Sequence, residues 1–271
     1  TIEKLASGET SYKVDVNDFS SLEAELAEGL NRISDGLETA LAEQVKSERL
    51  KADLITNVSH DIKTPLTSII NYVDLIKRQH IEDPTVQKYL EVLDQKSQRL
   101  KTLTEDLVEA SRASSGNIKL EITNIDFVEL VQQTTGEFEE KYAIRHLEIV
   151  NTLPNEVIMI EADGRRLWRV LENLYNNAFK YALEGTRVYV TIEDHGADVV
   201  FTIKNVSANP LNISPDELTE RFVRGDVSRT TEGSGLGLSI AKDLTTLQGG
   251  KFELIIDGDL FKAQITFPIK N

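Results

Sequence analysis

The 271-residue sequence has no cysteine, which removes disulfides, thiolate metal ligands and thiol nucleophiles together. Its four histidines, at 60, 80, 146 and 195, are scattered and build no HExxH-type metal pattern. Positive charge is scarce: Lys and Arg total 30 against 45 Asp and Glu, a net charge of −15. That balance argues against nucleic-acid binding and against docking on anionic membranes, both of which need basic surface. No window approaches the roughly 18–20 apolar residues that span a bilayer. The sequence opens on Thr1 with no signal-peptide pattern, so it reads as a cytosolic piece of a longer chain. A hydrophobic share of 40% is ample for packed cores, and the length suits two modest domains.

Two styles of sequence follow one another. Residues 1–20 hold little beyond the short alternation around Tyr12, Val14 and Val16. From Ser21 to about His80 only Pro65 interrupts a helical pattern. Leu26, Leu30, Ile33, Leu37 and Ala40 form a heptad seam, and Leu54, Val58, Ile62, Leu66, Ile69, Val73 and Ile76 extend the apolar stripe. Asp83 as N-cap and Pro84 at the first turn open a second helix, striped by Val86, Leu90, Leu93, Leu100, Leu103, Leu107 and Ala110. It ends near 111–116, a candidate hinge. Two helices with one stripe each cannot enclose a core alone, which predicts a homodimeric four-helix bundle with a coiled-coil extension.

Beyond Gly116 the periodicity changes. Ile118–Ile122, Glu148–Val150 and Val157–Ile160 read as strands, and Phe127–Tyr142, Arg165–Tyr181 and Leu236–Leu247 as helices. Hairpins are predicted around His195-Gly196 and Asp257-Gly258. The fold class expected is therefore multidomain: an all-α helical hairpin, then an α+β domain with helices on one face of a mixed sheet.

Three constellations carry chemistry. Val58 and Ile62 lie on the apolar stripe, so His60 between them points to solvent, with Thr64 on the same face. Pro65 leaves the Asp61 carbonyl without its helical donor and bends the chain beside His60. An outward imidazole next to a carboxylate is suited to be a nucleophile, although an ordinary exposed histidine reads the same way in isolation. In Leu171–Tyr181, Asn173 and Asn177 share a helical face. Asparagine is a poor helix former, and amide oxygens suit Mg²⁺ that keeps waters and phosphates; a solvated polar face is the plainer alternative. Gly233-Ser-Gly-Leu236-Gly237 precedes a helix, where backbone N–H groups and the helix N-terminus can hold an anion.

The string Ser59-His-Asp-Ile-Lys-Thr-Pro-Leu-Thr67 resembles the H-box of sensor histidine kinases. Leu171–Tyr181 resembles their N-box, Gly233–Leu238 their second glycine box, and Glu220–Arg224, with Phe222, their F-box. The resemblance covers about residues 47–271. It implies a Bergerat-type ATP-binding sandwich, with ATP and Mg²⁺ as cofactors. His60 would take the γ-phosphoryl group, Asp61 would orient the ring, and Thr64 would position water for dephosphorylating the partner. Asn173 and Asn177 would hold Mg²⁺, while Lys180, Arg224 and Arg229 would approach phosphate. Tyr181 would line the adenine site, and Gly233, Gly235, Leu236 and Gly237 would cradle phosphates. Where the family carries Asp-x-Gly-x-Gly, this chain has Asn205-Val-Ser-Ala-Asn-Pro210: an amide replaces the adenine-binding carboxylate, and both glycines are absent.

The domains expected are a HAMP-like remnant at 1–20, a signalling coiled coil at 21–46, a dimerisation and phosphotransfer hairpin at 47–113 and a catalytic domain at 117–271. The partners implied are a second copy and the receiver domain of a response regulator, with no nucleic acid, and a membrane only through a part preceding this sequence. A gyrase- or chaperone-like ATPase and a phosphatase-biased scaffold remain the competing readings.

Overall fold

The computed structural model describes residues 13–14, 21–79, 81, 83–116, 118–223 and 234–270. They divide into two compact units, Thr1–Asn57 and Val58–Asn271.

In the first unit, helix α1 (Ser21–Lys77) sets out as the heptad seam requires. Asn31 grips the backbone of Val14 with both ends of its amide: the Val14 N–H donates to Oδ1 at 2.9 Å, and Nδ2 donates to the Val14 carbonyl at 3.0 Å. Lys13 pairs with Asp35 at 2.9 Å. Ala27 and Ser34 are buried, whereas the seam residues Leu26, Ile33 and Leu37 stand in solvent.

In the second unit α1 runs on through Pro65 without a break. Helix α2 (Pro84–Ser114) is capped as expected, Asp83 accepting from the Thr85 N–H at 2.8 Å, and Lys77 ties α1 to Asp94 of α2 at 2.7 Å. The buried positions recur every seven residues: Ser59, Leu66 and Val73 on α1, and Leu90, Ser97, Thr104 and Ser111 on α2. This is coiled-coil spacing filled largely by small and polar side chains. The bulkier members of the predicted stripe, Val58, Ile62, Ile69, Ile76, Leu93 and Leu100, are exposed. The predicted stripe is thus two faces, one covered within the chain and one open.

The lobe that follows has a five-stranded sheet in the order β2-β4-β5-β7-β6, from β2 (Glu148–Thr152), β4 (Arg187–Asp194), β5 (Asp198–Val206), β6 (Lys251–Asp257) and β7 (Leu260–Pro268). Only β2 and β4 run parallel; the other pairs are antiparallel. A small antiparallel pair joins β1 (Thr123–Asp126) to β3 (Met159–Ala162). Two strand expectations are corrected here. Residues 118–122 alternate but form no strand; the paired segment starts at Thr123, where β3 supplies a partner. The strand expected at 157–160 lies two residues later for the same reason.

Helices α3 (Phe127–Ala143), α4 (Gly164–Tyr181) and α6 (Gly237–Leu247) share one core with the sheet, while α5 (Pro215–Leu218) is a single capped turn. Asp126 caps α3 and Asp163 caps α4, each accepting first-turn N–H groups. Phe127, Leu171, Leu174, Tyr175, Phe201 and Phe267 are fully buried, and alternate residues of β5 and β7 point into them. The Tyr142 hydroxyl donates to the Tyr175 carbonyl at 2.7 Å, so burying the phenol strands no polar group. Ala110 and Ala113 of α2 join this core. The candidate hinge at 111–116 includes the last turn of α2, whose Ala113 is packed in this core, and Gly116, at φ +67, makes the turn beyond it.

Helix α6 ends where Gly249 adopts φ +79, and the chain then passes so close to the core that a Cβ on Gly250 would lie 2.7 Å from Phe267 Cζ and 2.9 Å from Thr245 Cγ2. Gly250→Ala is therefore expected to cost about 1–3 kcal/mol through overpacking, read as a lower urea midpoint with an unchanged m-value.

Candidate active site

His60 stands on the outer face of α1, its side chain 81% exposed. Its Nδ1 lies 3.8 Å from Asp61 Oδ1, within ion-pair range but beyond a hydrogen bond. Asp61 is equally open to solvent, so a small rotation of either side chain brings the two together. Thr64 turns its hydroxyl back to the His60 carbonyl at 3.5 Å, a weak bond that leaves Oγ1 free to turn outward, and Thr67 makes the same turn to Lys63 at 2.8 Å.

A cavity of about 200 Å³ opens in the lobe beside α4. It gathers Asn173, Asn177, Lys180, Tyr181, Asn205, Gly235 and Gly237, residues that the sequence motifs single out from three separate stretches. Leu236 is buried and serves as the α6 N-cap, but no side chain caps that helix, so its first N–H groups remain for a ligand. Arg224, Arg229 and Gly233 lie outside the described residues.

The loop ahead of α6 is fixed by mutual fit. Gly235 has φ +70, and a Cβ there would meet the Phe222 carbonyl carbon and the Val223 oxygen at 3.0 Å. Phe222 itself sits in the left-handed region at φ +64, and its N–H donates to the Gly235 carbonyl at 3.0 Å. Lys242 donates to Thr219, and Arg221 pairs with Asp243, so α6 carries this segment. Burial raises the Asp243 carboxyl above its usual range although Arg221 opposes it.

Two amides on the cavity wall commit their nitrogen to backbone carbonyls. Asn173 Nδ2 donates to the Arg169 carbonyl at 3.0 Å, leaving Oδ1 where a Cβ on Gly237 would approach it to 3.1 Å. Asn205, in the middle of the β4-β5-β7 ladder and only 2% exposed, spends Nδ2 on the Val206 carbonyl at 3.2 Å. Its Oδ1 is buried with no partner in the protein. An orphaned buried acceptor beside a cavity marks a place for a ligand donor, because leaving it unmet costs about 1–3 kcal/mol.

The sequence reading missed the wall opposite. Thr102 and Asp106 of α2 line the cavity together with Arg169 and Glu172. Arg169 holds Asp106 and Glu172 at 2.5 Å and Glu109 at 2.8 Å, while Arg166 holds Glu109 at 3.0 Å. Burial works against the Arg169 charge, but hydrogen bonds to Glu172 and Glu109 more than offset it, and its pKa lies above the ordinary value. Glu109 and Asp106 lie some sixty residues from Arg169, beyond any local motif, and only Glu172 is a local partner.

Residues 50–116 match the His Kinase A (phospho-acceptor) domain, and residues 162–270 match the histidine kinase-, DNA gyrase B- and HSP90-like ATPase domain. The chain is 28% identical to the sensor histidine kinase WalK of Bacillus subtilis over 237 residues, 85% of this chain and 39% of WalK. It is 31% identical to the sensor protein VanS of Enterococcus faecium over 229 residues, 82% of this chain and 58% of VanS. The crystal structure of full-length ShkA in complex with AMPPNP superposes with a TM-score of 0.69 at 23% identity, over 81% of this chain and 46% of that one. A phosphoacceptor hairpin is thus followed by a domain of the histidine kinase-, gyrase- and HSP90-like ATP-binding class, and the chain belongs to the sensor histidine kinases of two-component systems. It spans between about two-fifths and three-fifths of these curated relatives.

Arg169→Met leaves Asp106 and Glu172 without their cation and Glu109 with Arg166 alone. It is expected to destabilise the second unit by about 2–4 kcal/mol at pH 7 in urea unfolding.

Proposed function

We propose that the chain transfers the γ-phosphoryl group of ATP to His60 and from there to an aspartate of a response-regulator receiver domain. The observation that carries this reading is His60 itself: a solvent-facing imidazole beside a carboxylate, in a chain that also holds a cavity with ATP-domain motifs. His60 Nε2 attacks the γ-phosphorus in line; the N–P bond forms as the bond to the β-phosphate oxygen breaks, and ADP leaves. The ring becomes cationic, and Asp61, rotated onto Nδ1, holds or takes that proton. Phosphoryl transfer demands chiefly positioning and charge neutralisation.

The residues fit ATP and Mg²⁺. The orphaned Asn205 Oδ1 can accept from the adenine amino group, and Tyr181 lines the same cavity. Asn173 and Asn177 offer oxygen to Mg²⁺, which supplies charge neutralisation at the phosphates when bound. Among the described residues no group of three or more His, Asp or Glu could hold a metal, which suits an ion ligated mostly by water and phosphate. Lys180 brings positive charge to that end of the cavity, and Gly235 and Gly237 let backbone approach the phosphates. Thr64 is the residue assigned to dephosphorylation of the regulator.

A hydrolytic ATPase is the weaker reading, because both carboxylates lining the cavity, Asp106 and Glu172, are committed to Arg169 rather than free to activate water. The open faces of α1 and α2 are assigned to a second copy of the chain, completing a four-helix bundle. No described helix is long and apolar enough to cross a membrane, and the chain is read as the cytoplasmic portion of a membrane sensor. We assign its parts to 1–20, 21–46, 47–113 and 117–271, of which 1–20, apart from 13–14, lie outside the described residues.

Incubation with labelled Mg·ATP is expected to leave acid-labile, base-stable phosphate on the protein, and His60→Gln to abolish it; acid-stable label, or label retained in the variant, would contradict the assignment. Asn205→Ala should weaken ATP binding about fivefold to tenfold while leaving the triphosphate of purine riboside, which lacks the 6-amino group, unchanged. Equal losses for both nucleotides in a displacement titration would remove Asn205 from base recognition.

A further inference from the structure

Asn176, between the two motif asparagines, also lines the cavity, and its amide is set the opposite way from that of Asn173. Lys141, in the last turn of α3, places Nζ 2.6 Å from Asn176 Oδ1. An ammonium only donates, so the bonded atom must be the oxygen, and Nδ2 is the end left for the cavity. Lys141 is not free to wander: its Nζ sits 4.9 Å from the centroid of the Phe179 ring and 5.1 Å from that of Phe138. It does not itself line the cavity. Burial pushes its pKa below the ordinary lysine value, with Glu172 opposing.

Asn173 and Asn176 are three residues apart and therefore neighbours on the helix surface. One shows the cavity an acceptor, the other a donor. A cation–phosphate pair needs that combination: oxygen for the metal and N–H for the anion. We propose that Asn176 is a phosphate-binding donor of the nucleotide site, and that Lys141 is the positioning residue that fixes its amide with Nδ2 toward the ligand. The inference rests on the nucleotide reading above and adds to it a contact outside the motif asparagines.

The test measures ATP, ADP and adenosine affinities of the whole chain with Mg²⁺ by displacement of a fluorescent nucleotide. Asn176→Asp keeps the tie to Lys141 but turns a carboxylate oxygen to the phosphates. It is expected to weaken ATP and ADP about tenfold and adenosine less than twofold. Lys141→Met keeps the apolar stem over both rings and releases the amide; ATP should weaken about threefold, adenosine should not change, and Lys141→Arg should restore ATP to within twofold. If ATP and adenosine shift in parallel, or neither shifts while the melting temperature falls, Lys141 and Asn176 are only a helix–helix tie and the inference is overturned. Loss of ATP binding in the unsubstituted chain would instead sink the nucleotide reading, and this inference with it.

Discussion

Helix α4 has to satisfy two environments at once, and the rest of the lobe is arranged around that demand. Leu167, Val170, Leu171, Leu174 and Ala178 are removed from water between α3, α6 and the sheet. Each such side chain contributes roughly 1.5–3 kcal/mol when fully buried, Ala178 less, so the helix cannot turn about its axis. That fixed rotation decides where the opposite face points. Asn173, Asn176, Asn177 and Lys180 reach the cavity because their apolar neighbours are locked elsewhere. Asparagine costs helix propensity at each position, and the core burial offsets it.

The amides around the cavity are polarised by what holds them. Backbone carbonyls take the Nδ2 groups of Asn173 and Asn205, and an ammonium takes the oxygen of Asn176. A neutral side chain thereby acquires a definite acceptor or donor end, without adding charge to a cavity already lined by Arg169 and its two carboxylates Asp106 and Glu172. The same arginine couples the hairpin to the lobe. The proposed sites of chemistry, His60 on α1 and the cavity on α4, are thus borne by one unit whose parts are joined by charge at α2 and by Ala110 and Ala113 in the core.

Much of this was legible in the sequence because it is written locally. The exposure of His60 was expected, although the flanking Val58 and Ile62 that predicted it stand in solvent themselves and the buried neighbour is Ser59; the cap at Asp83 acts within three residues, and the hairpin turns at Gly196 and Gly258 have the positive φ their sequences call for. What was not legible depends on distant partners. Residues 118–122 have the alternation of a strand but no strand beside them, and the hydrophobic stripe of α1 gave no sign of which half α2 would cover. Asp106 meets Arg169 across 63 positions, and Lys141 meets Asn176 across 35. In the Asn205 loop the departure from the family motif was visible, but not that the amide nitrogen would find the next carbonyl and leave the oxygen bare.

The central claim is that the polar face of α4 is the floor of an Mg·ATP site, and amide hydrogen exchange of the whole chain tests it directly. Adding Mg·ATP should slow exchange in the segments around 173–181, 205–209 and 235–238, and leave the β6–β7 turn at 257–259 unchanged. Protection confined to other segments, or none at saturating nucleotide, would contradict it.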